Sequence, residues 1–338
     1  MDDDKGFNLV ARYSPAIPNW SQMPGSNKRE GMVAQFAPGL PGLKKNQNVL
    51  YVDNTDVEFQ EEMLGFYEAY LDAASLDGTA GYALSPEIAR GFFAFLDRLD
   101  RLSDPPMAIK GQITGPFTLG TAVKDASGSA IFHDETLRDM VVKLLAMKAR
   151  WQVQQLSQKG FPVILLVDEP ALAGYGTSEF ISISREVVIE ALSELFGEIQ
   201  NAGALAGVHV CANTDWSMLM ASGVDIISFD AYTYFDRLAL YQDEIARFID
   251  AGKWLVWGIV PTLQAADIVK ETVTSLSRQF RRKLESLVAL GIDQTVILRQ
   301  SLISPSCGVG TLDIALAEKV MQLTKGVSDK VRREEKYA

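Results

Sequence analysis

From about residue 86 onward the chain alternates helical stretches with short apolar runs that end in polar or small residues. That is the rhythm of a parallel sheet with crossover helices. The runs are Met107–Thr114, Val163–Val167, Leu205–Cys211, Asp225–Phe229, Trp254–Val260 and Val296–Ile303. Each is followed by a helical pattern, clearest in Glu135–Gln158, Glu179–Gln200 and Ala265–Ala289, where apolar residues recur every three to four positions.

The first 85 residues are less regular. Pro15, Pro18, Pro24, Pro38 and Pro41 punctuate them, and only Gly31–Phe36 reads as a further barrel strand. Seven strands result where a closed barrel wants eight. Phe7, Leu9, Val10 and Tyr13 are spaced like the buried face of the helix that would follow a first strand, with Asp2, Asp3 and Asp4 suited to its N-terminal end. The expectation is an α/β fold, a (β/α)8 TIM-type barrel whose first strand is missing from this chain, with a gap between the second and eighth strands or a neighbouring segment filling it. Residues 1–325 read as a single TIM-type barrel domain, with 53–74 a helix-bearing excursion over one end and 326–338 a charged C-terminal tail expected to fray. A length of 338 residues with 47% hydrophobic content suits one large core.

Composition removes several function classes. Thirty-two basic against 43 acidic side chains give a formal charge of -11, and no basic stripe with interleaved aromatics occurs, which speaks against nucleic acid as a partner. No apolar run reaches the roughly 18 residues of a membrane span. The N-terminus MDDDKGFNLV lacks the basic and apolar regions of a signal peptide. A cytoplasmic protein without a membrane partner is expected. The only two cysteines lie about a hundred residues apart, so reduced thiols available for chemistry are expected rather than a disulfide framework.

Three of the four histidines and cysteines stand at the C-terminal ends of the expected strands, and in a parallel barrel those ends converge on the mouth where active sites are built. His209-Val210-Cys211 is an H-x-C pair whose period-2 spacing points both side chains the same way. Cys307 lies in the turn-rich loop Ile303–Gly310 directly after the last strand, within reach of the pair. One imidazole and two thiolates form a zinc set, and catalytic zinc keeps three protein ligands with an exchangeable fourth position. The plainer alternative is a Cys serving as a small buried hydrophobe and a hydrogen-bonded core His. His133, which precedes Asp134 at a helix start, reads as exposed.

Carboxylates reach the same mouth. In Val167-Asp168-Glu169-Pro170 an apolar strand ends in two acids and a proline, either of which could instead cap the following turn. In Ser228-Phe229-Asp230-Ala231-Tyr232, Asp230 is a candidate fourth, displaceable zinc ligand, or else a surface or supporting carboxylate. Lys110–Pro116 ends its strand with Gly111 and Gly115, which allow the backbone to approach a ligand closely.

The series KGQITGP, LLVDEPAL, GVHVCANTDW, VDIISFDAY and ISPSCGVGTL, in that order over roughly residues 105 to 320, closely resembles the C-terminal catalytic barrel of cobalamin-independent methionine synthase. The wider superfamily includes uroporphyrinogen decarboxylase and the zinc methyltransferases acting on corrinoid proteins. The resemblance implies His209, Cys211 and Cys307 as zinc ligands, with Asp230 where the family has glutamate. It implies Asp168 as the contact for the amino group of homocysteine, with Glu169 and Gly115 beside it in the substrate site, and Asp168 and Asp230 as the catalytic acids. Three features depart from the family. The Ile-Gly-Ser strand that opens its barrel is absent, no histidine follows the seventh strand in Trp257-Gly-Ile-Val-Pro261, and the N-terminal folate-assisting barrel is lacking.

The implied function is that of a methionine synthase-like S-methyltransferase of methionine biosynthesis, with Zn2+ as cofactor. A small thiol, homocysteine favoured, would attack a methyl group from a methylated corrinoid protein or, less favoured, methyl-folate. The competing expectations are an enzyme of the uroporphyrinogen decarboxylase type and a non-catalytic barrel binding a corrinoid or thiol.

Overall fold

The computed structural model describes residues 3–47, 49–72, 78–102 and 104–335. Nine strands form among these residues: β1 (Leu43–Asn46), β2 (Val49–Val52), β3 (Ile109–Thr114), β4 (Lys124–Asp125), β5 (Val163–Asp168), β6 (Leu205–Val210), β7 (Ile226–Phe229), β8 (Trp254–Val260) and β9 (Ser301–Pro305). β3, β5, β6, β7, β8 and β9, in that order, make one six-stranded sheet in which all neighbours are parallel. β1, β2 and β4 form a small separate sheet.

Side chains alternate along each main strand. One face sends Ile109, Ile113, Leu165, Val167, Val208 and Ile227 into the large core shared with the helices. The other carries Ala108, Ile164, Leu166, Ile226 and Val256, which meet in a second, small apolar cluster together with Ile17, Trp254 and Leu302. That cluster joins residues of strands that are not neighbours, so the sheet curls around it. The result is a partial barrel with helices outside and an apolar plug inside.

The connecting helices start where a side chain supplies an acceptor for their unpaired N–H groups. Asp134 accepts from Leu137 N at the head of Glu135–Ser157, and Ser184 from Val187 N at the head of Arg185–Asn201. The Ser184 cap starts that helix six residues later than the apolar spacing alone places it. The stretch expected as one helix over Ala265–Ala289 is two, Ala265–Lys270 and Val273–Val288, because Thr272 and Ser275 form a capping box at the junction.

Two expected strands are corrected. Gly31–Phe36 contains the helix Met32–Phe36, and the place beside β3 is taken by the stretch around Pro18 and Asn19. Met107 N donates to Ala16 O at 2.8 Å, Lys110 N to Pro18 O at 2.9 Å, and Asn19 makes a single parallel bridge with Lys110. Pro15 and Pro18 carry no N–H, which keeps this stub from growing into a ladder. The run Val296–Ile303 begins as the helix Gln294–Arg299, capped by Asp293, and the strand follows only at Ser301.

The expected leading helix forms over Asp3–Tyr13, with Val10 and Tyr13 buried. It packs on one side through Phe7 on Phe95 and on the other through a hydrogen bond from Tyr13 Oη to Glu318. Among the described residues no strand lies between the stub and β9, whose other edge pairs with β8. The excursion contains the helix Phe59–Asp72, and residues 73 and 74 lie outside the described residues. That helix meets the early turns of Glu135–Ser157, where Tyr67 donates to Asp139. The charged C-terminal stretch from residue 326 is helical up to Glu334. It continues the helix Ile314–Glu334, held by buried Val327 and Val331, and residues 336–338 lie outside the described residues. Among the described residues no helix is long and apolar enough to cross a membrane.

Candidate metal centre

His209 is the penultimate residue of β6 and Cys211 follows its end, two positions on and therefore on the same, inner face. Their ligand atoms and that of Cys307 all lie within 4.8 Å of one another, and all three residues are half-buried. The residues that the resemblance implies as zinc ligands thus come together from two strand ends that are far apart in sequence.

Cys307 is carried in by the chain after β9. Ser306 N donates to Val260 O at 2.8 Å, and the Ser306 and Thr262 hydroxyls lie 3.0 Å apart. Gly258 on β8 leaves room for this approach. A Cβ there would stand 2.6 Å from Phe229 O and 2.8 Å from Ser306 Cα, both backbone atoms that cannot swing aside. His209 is oriented from the next strand: its Nδ1 lies 2.9 Å from Ser228 Oγ on β7, its register partner. With Nδ1 engaged there, Nε2 is the nitrogen left for a metal.

The two thiols differ sharply. Hydrogen bonds from Cys211 and from His209 pull Cys307 below the ordinary thiol range against the effect of burial. Cys211 is pushed up, chiefly because its proton is held on Cys307 and further by burial. Cys307 is the more acidic of the two, and thiolate is the form that ligates. An imidazole, a thiolate and a second thiol in mutual contact fit zinc by the chemistry of the donor set.

Asp168 ends β5 and is the register partner of His209 and of Thr114. Among the described residues its carboxylate makes no hydrogen bond or ion pair. Burial raises its pKa, opposed by His209 and Lys110.

Asp230, expected as a fourth ligand, is not part of the group of mutually close donors. Its Oδ1 accepts from Thr233 N at 2.8 Å and caps the helix Ala231–Leu238. It is 1% exposed, and burial raises its carboxyl while the bonds from Thr233 oppose the rise. One carboxylate oxygen is thus engaged by the helix cap, and the donor group forms without Asp230.

Glu169 and Gly115, expected beside the substrate, lie against each other at the head of the helix after β3. Glu169 is fully buried; Oε1 accepts from Phe117 N at 2.9 Å, and Oε2 from Thr118 N at 2.7 Å and Thr118 Oγ1 at 2.5 Å. These are the unpaired donors at the head of Pro116–Ala122, the helix that follows β3. Gly115 makes room for the carboxylate, since a Cβ there would lie 2.2 Å from it. Both residues position the loops around the site.

Ser228 and Gly258 are the positioning residues that sequence reasoning missed. Ser228 is the register partner of His209 on the neighbouring strand, so aligning the two strands by period-2 spacing could have found it. Gly258 carried no local signal. Compared with protein-family models and with curated proteins, the chain matches none.

Proposed function

We propose that this chain is a zinc-dependent S-methyltransferase that activates a small thiol, homocysteine favoured, for attack on the methyl group of a methylated corrinoid protein. Methyl-folate is the less favoured donor. The observation that carries the reading is the close group of His209, Cys211 and Cys307 at the C-terminal ends of parallel strands.

Zinc in this ligand set, when bound, lowers the pKa of an incoming thiol and keeps it a nucleophile near neutral pH. The chain's own residues supply the rest. His209, held by Ser228, and the two cysteines fix where the sulfur sits. Asp168, with no partner among the described residues, takes the ammonium group of an amino-acid thiol in this reading. Asp230 adds negative charge beside Cys307 without leaving its helix. In the transfer, a sulfur lone pair forms the S–CH3 bond, the methyl–cobalt bond breaks with its electron pair left on the corrinoid, and the thiol proton passes to solvent. Orientation of the two reactants supplies several kcal/mol of the acceleration.

The test combines metal analysis with methyl-transfer assays. About one zinc per chain is expected, reduced in Cys307→Ala, together with methylation of homocysteine by free or protein-bound methylcobalamin. Zinc without transfer to any thiol would leave a binding protein, and undiminished zinc in Cys307→Ala would remove that residue from the set.

A further inference from the structure

Lys110 is the one charged side chain of β3, and it stands on the inner face. Its register partner is Ile164, so its stem rises from the apolar plug that Ala108, Ile164 and Leu166 help to form. Its Nζ donates to Gln112 Oε1 at 3.3 Å, two residues nearer the C-terminal end of the strand. Gln112 is fixed in turn, because its Nε2 donates to Trp20 O at 3.1 Å. The ammonium is thereby aimed along the inner face toward the layer that holds Asp168 and His209.

An enclosed ammonium is costly without an anion against it. Burial holds Lys110 below the ordinary lysine range, and Asp168 opposes this only in part. The two charges act on each other, yet they do not close to ion-pair distance. Both keep part of their surface, and their inner-face positions turn it toward the same space. A cation and an anion held apart in this way leave each short of a partner.

We propose that Lys110 is an anion-binding residue of this site, whose ammonium receives the acidic group, carboxylate or sulfonate, of the thiol that binds at His209, Cys211 and Cys307. The assignment rests on the thiol-binding reading given above. It makes β3 a specificity element: an acidic group pairs with an ammonium that otherwise has only a neutral amide, and a neutral thiol leaves that ammonium unpaired.

The test compares 1-propanethiol, 3-mercaptopropionate and 2-mercaptoethanesulfonate, thiols of similar length, on the full chain loaded with cobalt(II), where thiolate binding gives a charge-transfer band. The unsubstituted protein is expected to bind at least one acidic thiol about tenfold or more tighter than propanethiol, and the tighter of the two identifies the acidic group. Lys110→Met should erase the preference, and Lys110→Arg should keep part of it. A preference that survives in Lys110→Met overturns the assignment. So does the absence of any preference in the unsubstituted protein, a comparison that needs no variant to fold, or an equal loss of all three thiols in Lys110→Met. In each case the thiol-binding reading stands. If no thiol changes the cobalt spectrum of the unsubstituted protein, that reading itself fails and the assignment falls with it.

Discussion

His209 Nδ1 lies 2.9 Å from the hydroxyl of Ser228, so the imidazole of the donor group is held by the strand beside its own. A ring fixed this way presents its other nitrogen without an entropic cost on binding. Ser228→Ala is therefore expected to weaken zinc binding about 10- to 100-fold with little change in fold. Competition against a chelator measures it. Unchanged affinity would mean that the β6 backbone alone orients the ring.

Gly258 gives a second, independent handle, because any Cβ there strikes the backbone of Phe229 and Ser306. Gly258→Ala should displace the segment bearing Cys307 and destabilise the protein by about 1 to 3 kcal/mol. Thermal unfolding and zinc competition, run on the same sample, should both move. A variant with normal stability and normal zinc affinity would show that the loop is seated without help from this position.

How far the sequence reveals this arrangement depends on the reach of each signal. The strands that carry His209, Asp168 and Asp230 are buried on both faces, so they read as apolar runs, and period-2 spacing then puts His209 and Cys211 on one side. The same argument misplaced Gly31–Phe36 and Val296–Ile303, because a short apolar run fits helix and strand alike. In the second case the Asp293 side chain bonding Val296 N decides for helix. Glu169 escaped for a different reason. Its capping bonds go to a helix more than fifty residues earlier in the chain, at Phe117 and Thr118, whereas sequence rules for caps look only at the residue's own turn. The space that Gly258 leaves is likewise set by other strands and has no trace in its own neighbourhood.

The thiol pair predicts a reactivity order. The hydrogen bonds that Cys307 accepts pull it down while Cys211 is pushed up, so Cys307 is the first of the two to ionise as pH rises. In metal-free protein at pH 6, iodoacetamide should therefore label Cys307 first, and zinc should protect both residues. Peptide mapping by mass spectrometry reads the order. Equal labelling that rises only toward pH 8.5 would show two ordinary thiols.

Asp230 separates charge from capping. Asparagine caps a helix about as well as aspartate, and alanine does not. Asp230→Asn should therefore keep stability, whereas Asp230→Ala should lose roughly 1 kcal/mol. Because Asp230 is outside the close donor group, both variants should purify with zinc. A metal-free Asp230→Asn protein would make this carboxylate a true ligand.

Glu169 predicts how stability varies with pH. Burial raises its carboxyl from 4.5 to about 7, against the pull of its bonds from Thr118 and Phe117. The unfolded chain loses this proton near 4.5 while the folded protein retains it to about 7, so over that window the folded state binds more protons. The contribution of Glu169 is thus fully present below about 4.5 and is lost as pH rises through about 7, a change on the order of 3 kcal/mol. Glu169→Gln stays neutral at every pH and should remove that slope. It also offers one side-chain acceptor where three donors converge, so its deficit against the unsubstituted protein should be largest in acid and shrink by roughly 3 kcal/mol on going to pH 8. Denaturant titrations of both proteins from pH 5 to pH 8 give the difference directly. If the deficit instead grows with pH, the helix N–H donors outweigh burial, the carboxylate is ionised in the folded protein, and the sign argued here is reversed.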